Sequence, residues 1–127
     1  MLQPKVLPQL IQQANTNGVK TTLILSTEGS LLASTGDKTN DKIIAALVSS
    51  TWNTYVKAGM SNDDNKLEGL LLDTEIGKMA VESITNHVLL CLCGTDNSTR
   101  GLLRAKASEL SSHLREPFEQ LNIDEIY

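Results

Sequence analysis

The stretch KIIAALVSSTWNTYV at 42–56 constrains this chain more than any other. It reads as a helix, and successive residues advance about 100° around its axis. With Ile43 at zero, Leu47, Ile44, Tyr55, Val48, Trp52, Ala45 and Val56 fill an arc of roughly 220°. Ser49, Lys42, Asn53, Lys57 and Ser50 hold the rest, with Ala46 among them. A helix lying on one core needs an apolar stripe little wider than about 100°. The fold must therefore cover this helix from two directions. Ile43 and Leu47 bound one side of the arc, and Trp52, Ala45 and Val56 bound the other. Asp37, Thr39, Asn40 and Asp41 are the candidate caps at its start, and Gly59 is the expected stop.

The other segments supply a sheet and two narrower helices. Val6, Leu7, Leu10, Ile11 and Ala14 make a short helical stripe, with Pro8 setting its start or a kink, closed by the turn-rich NTNG at 15–18. VKTTLILS (19–26) and SLLAS (30–34) flank a tight turn at Gly29, which predicts a hairpin. The first of these strands is apolar on both faces toward its end, so both faces are covered. KLEGLLLDTE, KMAVESIT and HVLLCLC follow as three strands with the spacing of a meander. The last helix carries one stripe of Leu103, Ala107, Leu110, Leu114, Phe118 and Leu121, capped by Ser98 or Thr99, and Pro117 should bend or break its final turn. The order is α-β-β-α-β-β-β-α. This is an α+β domain with a five-stranded, mostly antiparallel sheet and helices on both faces.

Composition removes several classes of function. At 127 residues the chain is one domain with a real core. Eleven basic residues stand against fifteen acidic ones and form no basic run, which argues against a nucleic-acid surface. Trp52, Tyr55, Phe118 and Tyr127 are the whole aromatic complement, too few for a base-stacking platform. No apolar run approaches the ~18 residues of a membrane span, and MLQPKVLPQL lacks the pattern of a secretory leader. Neither Leu2 nor the ending DEIY suits lipidation. The expectation is a cytoplasmic protein without direct membrane insertion.

Candidate chemistry is thin. Cys91 and Cys93 share a strand face, but a structural zinc needs a second ligand pair that the sequence does not offer. Same-face strand neighbours also suit a disulfide poorly, so the two thiols read as buried and inert. His87 and His113 stand alone, without an identifiable nucleophile and orienting carboxylate. A calcium loop starting at Asp63 fails at Glu68, where glycine is needed, and at Thr74, where glutamate is needed. Gly77-Lys78 lacks the upstream glycine of a phosphate loop and reads as a turn. Asp73 and Glu75 share a face beside that turn and read as a polar hairpin end. The expectation is no catalytic residue, no cofactor and no metal.

The matching stretches M-L-Q-P-K (1–5), Q-A-N-T-N-G-V (13–19), T-L-I-L-S-T-E-G-S-L-L-A (22–33), Trp52 with Tyr55, V-L-L-C (88–91), L-L-R-A-K-A (102–107) and E-P (116–117) span nearly the whole chain. In these, and in its element order, the chain resembles the roadblock/dynein light chain family. It is most similar to the roadblock subunits of Ragulator, an adaptor assembly of late endosomes and lysosomes. Pro8, the loop around 60–66 and the tail Ile123–Tyr127 depart from the pattern. The resemblance implies a profilin-like roadblock domain over 1–122 with a short tail at 123–127. It implies pairing with a second roadblock protein, one that binds a MAP-kinase kinase, through the central helix and the strand after it. The interface residues it implies are Ile43, Ile44, Leu47, Val48, Thr51, Trp52, Tyr55, Leu70, Leu71 and Leu72. It further implies a non-enzymatic scaffold held at the cytosolic face of lysosomes by a lipidated anchor subunit. There it would recruit Rag GTPases and support TOR and MAP-kinase signalling, any nucleotide-exchange role belonging to the assembly. A homodimeric motor light chain and a small-ligand sensor on a profilin-like scaffold are the rival expectations.

Overall fold

A computed structural model describes residues 18–36, 38–60, 69–74, 77–95 and 98–120. Strands β1 (Val19–Ser26) and β2 (Leu31–Ser34) precede helix α1 (Lys38–Tyr55), which runs on into a π-helical turn at Val56–Met60. Strands β3 (Gly69–Thr74), β4 (Gly77–Ser83) and β5 (Val88–Gly94) follow, and helix α2 (Arg100–Gln120) completes the order. The five strands form one sheet in the order β2-β1-β5-β4-β3, and every pairing is antiparallel. The first helix expected from Val6–Ala14, the acidic loop after Met60 and the tail at 123–127 lie outside the described residues.

The strands that read as apolar on both faces occupy the middle of the sheet. Leu23, Ile24 and Leu25 of β1 are fully buried, as are Val88 to Leu92 of β5. The pleat sends alternate side chains to opposite layers. Leu23, Leu25, Val81, Leu89 and Cys91 join Ala45, Val48 and Trp52 of α1 in one layer. Ile24, Ala80, Leu90 and Leu92 join Leu103, Ala107 and Leu114 of α2 in the other. Register fixes this division, because Leu23 stands opposite Cys91 and Ile24 opposite Leu90.

The β1–β2 hairpin closes as its glycine predicted. Gly29 adopts φ +99°, where a side chain would strain the backbone, and a Cβ there would sit 3.1 Å from Ser49 Oγ. The Ser26 hydroxyl accepts bonds from the amides of Glu28 and Ser30 and holds the turn. At the start of α2, Thr99 Oγ1 accepts the Leu102 amide at 3.1 Å and is the cap.

Three local expectations differ from the structure. Of the four candidate caps, Thr39, Asn40 and Asp41 fall inside α1, which starts at Lys38, and Asp37 lies outside the described residues. Asp41 is instead buried and accepts a hydrogen bond from the Ser34 hydroxyl of β2. The central helix is not simply closed by Gly59, since its last turn widens at Val56 into π geometry. That widening moves Val56 off the arc drawn for a regular helix, and it stands 37% exposed. Finally, α2 continues through Pro117 to Gln120 without a break. The proline removes one amide bond close to the helix end, where carbonyl partners already run out.

Replacing Trp52 with alanine removes a 5% exposed aromatic from the α1 layer and should lower unfolding free energy by about 3–5 kcal/mol in urea titration. Gly29→Ala should cost about 1–2 kcal/mol in the same assay, since the left-handed turn position must be kept.

Candidate protein–protein interface

Polar side chains tie one flank of helix α1 to the β1–β2 hairpin. Asp41 is bonded to β2, and Asn53 Nδ2 donates to the Thr27 carbonyl of the hairpin turn at 2.9 Å. Ser49, buried beside Gly29, returns its hydroxyl to the Ala46 carbonyl. Between these polar anchors, Ala45, Val48 and Trp52 face the sheet and are buried. This half of the wide apolar arc is explained by the protomer's own core.

The other half is not. Ile43 is 63% exposed, Leu47 44% and Tyr55 39%, one helical face turned away from the sheet. Thr51 and Thr54 lie on the same face, and their hydroxyls donate to the carbonyls of Leu47 and Ser50 at 2.9 Å. Their hydrogen bonds are therefore met inside the helix, and the face needs no polar partner from outside. Exposed apolar side chains grouped on one helical face are the usual mark of a contact surface.

Ile44 is half-buried and packs against the α1-side core layer, as do Leu70 and Leu72 of β3. Among the described residues β3 is an outer strand whose pairing partner is β4. The pleat turns Leu71 to the opposite face, where it is 41% exposed. Beyond it on that face, Asp73 accepts a bond from Arg100 Nη2 at 2.7 Å. That guanidinium holds the Asp73 carboxyl below the usual carboxylate range. Both partners are more than half exposed, so the pair contributes little to stability.

The ten residues expected at the interface thus divide by position. Ile43, Ile44, Leu47, Thr51 and Tyr55 lie on the outer flank of α1, and Leu70 and Leu72 lie on the α1-side face of β3. Leu71 lies on the reverse face of β3. Val48 and Trp52 do not reach that surface, because they fill the protomer's own core. The sequence grouped them with the rest because a helical wheel gives the width of an apolar arc but not its orientation. The orienting signal is the pair Asp41 and Asn53, whose polar groups tie the opposite flank to the hairpin.

No group of three or more His, Cys, Asp or Glu among the described residues is placed to hold a metal ion. His87 and His113 are both exposed. No helix among the described residues is long and apolar enough to cross a membrane.

Known proteins share this architecture. Residues 7–93 match the Roadblock/LC7 domain family. A Caenorhabditis elegans protein described as a Ragulator complex protein LAMTOR2 homolog is 30% identical over 124 residues, covering 98% of each chain. Among solved structures, the gliding protein MglB of Thermus thermophilus superposes with a TM-score of 0.79 at 14% identity, covering 95% of both chains. A Roadblock/LC7 domain of Streptomyces avermitilis gives 0.73 at 17% identity, covering 88% of this chain and 93% of that one. At those identities the two structures establish the fold. The family match and the nematode relative establish descent, and the chain belongs to the Roadblock/LC7 domain family.

Proposed function

We propose that this chain is a non-enzymatic scaffold subunit that pairs with a second roadblock protein through the outer flank of α1 and the free edge of β3. The observation that carries this reading is the exposed apolar flank of Ile43, Leu47 and Tyr55 on α1. Docking two such protomers edge to edge would extend the sheet and pack one α1 on the other, removing both the wetted flank and the unpaired strand edge. Val48 and Trp52 would support that surface from beneath, and Leu71 would border the joint on the reverse face.

The relative's place among Ragulator proteins supports a finer reading. In it, the second protomer is the roadblock protein that binds a MAP-kinase kinase, and the pair belongs to a Ragulator-like assembly on lysosomes. A lipidated anchor subunit holds the assembly to the membrane. The assembly recruits Rag GTPases and supports TOR and MAP-kinase signalling, and any nucleotide-exchange activity belongs to the whole. This chain contributes a binding surface.

Co-expression with a second roadblock protein, followed by mass determination by light scattering, tests the reading. A one-to-one heterodimer is expected. A stable homodimer that refuses the second protein would favour a motor-type light chain, and a monomer whose melting point shifts with a small ligand would favour a sensor. Ile43→Asp with Leu47→Asp should weaken pairing at least ~30-fold, about 2 kcal/mol, because charges would enter a dry contact. Melting of the isolated chain should change by no more than about 0.5 kcal/mol per substitution, since both positions are exposed in the protomer.

A further inference from the structure

Helix α2 packs over β4 and β5, and the reverse face of β3 is left with Leu71 exposed. Between α2 and β3 runs a cleft of about 460 Å³, floored by Ala80, the residue opposite Leu71. Its walls are fixed relative to each other. Lys78 Nζ donates to the Ser98 carbonyl ahead of α2 at 3.2 Å. Near the other end, Arg115 Nε and Nη2 donate to the Ile84 and Ser83 carbonyls at 3.3 and 3.4 Å. Arg100 reaches across to Asp73 of β3 and closes the cleft on the side of the first turn of α2.

The wall that α2 contributes is cationic. Arg104, Ser108, Ser112 and Arg115 follow one another at helical spacing along it, with no carboxylate among them. Arg104 is exposed and makes no hydrogen bond or ion pair among the described residues. The bonds from Arg115 to β4 and the residue after it anchor its guanidinium and leave Nη1 without a bond among the described residues. Glu82 is the carboxylate of the lining. It is half-buried, engaged in an interaction of its own, and placed at the Gly69 end, where a Cβ on that glycine would sit 3.2 Å from its Cδ. Two guanidinium groups against one carboxylate make this cleft positive on a chain whose net charge is -4.

We infer that this cleft docks an extended acidic segment of another polypeptide, one with two carboxylates four residues apart and apolar side chains between them. Arg104 and Arg115 stand about 16 Å apart along the helix axis. Carboxylates at the first and fifth residues of an extended chain lie about 13 Å apart on one side, and the length of two arginine side chains closes the difference. The second and fourth residues then face the opposite wall, where Leu71 offers apolar surface. Charge complementarity selects this occupant, because a guanidinium binds a carboxylate through paired, directional hydrogen bonds. A cleft sunk between a helix and a strand admits a single chain, whereas a bilayer would meet only its rim. The groove lies across the sheet from the outer flank of α1, so it does not depend on the proposed pairing.

The test titrates the full chain, without a roadblock partner, into a rhodamine-labelled peptide GSDLSLDSG and reads fluorescence anisotropy at low salt. The peptide GSNLSLNSG is the neutral control. The acidic peptide should bind at least ~10-fold more tightly than the control. Arg104→Gln should weaken its binding about three- to five-fold, the range of one exposed ion pair, and leave the melting temperature unchanged. Leu71→Ser should weaken both peptides about three-fold through lost apolar contact. Lys42→Gln removes the same charge from the exposed surface of α1 and should leave binding unchanged. Equal or undetectable binding of the two peptides, no effect of Arg104→Gln, or the same loss in Lys42→Gln would overturn the assignment. Sedimentation with phosphatidylserine vesicles that Arg104→Gln abolishes, while the two peptides bind alike, would overturn it in favour of lipid headgroups.

Discussion

The structure depends on a helix that a single sheet cannot cover. Ala45, Val48 and Trp52 bury one flank of α1 against β1, β4 and β5, while Ile43, Leu47 and Tyr55 remain in water on the other. Apolar burial is favourable by about 25 cal/mol per Å², so leaving these side chains wet forgoes stabilisation that covering them would supply. The helix cannot roll to hide them. Asp41 on Ser34 and Asn53 on the Thr27 carbonyl fix its rotation at both ends. The exposed flank is held in place by the same contacts that complete the core.

The rest of the fold leaves a second opening on the α1 side of the sheet. β2, at one edge, has four residues and is bonded through Ser34 to α1. β3, at the other edge, has six and carries three consecutive leucines. A short edge is a modest hazard; a longer apolar one invites another strand. Ile44 on the helix flank and Leu70 and Leu72 on the strand pack against the same α1-side core layer.

Much of this architecture was legible in the sequence. The period-two runs at 19–26 and 88–94 sit in the middle of the sheet, where both faces are covered, and the glycine at 29 marks the turn it occupies. The stripe of Leu103, Ala107 and Leu114 faces the sheet because its spacing allows no other single face to be buried. What the sequence could not convey was rotation. Val48 and Trp52 fall within the same apolar arc as Ile43 and Leu47, and only long-range bonds from Asp41 and Asn53 decide which side meets the sheet. The π-helical turn at Val56 was equally hidden, because it is a change in hydrogen-bond spacing and leaves no compositional trace. The cysteines were legible as buried strand residues, which both are.

Hydrogen–deuterium exchange of the protein alone and bound to a second roadblock protein reads out which surface of the protomer another chain completes. Complex formation is expected to slow exchange at the β3 amides of Gly69–Thr74 that point away from β4, with β2 unchanged. Protection at β2, or a β3 edge that exchanges equally fast in both states, would contradict it.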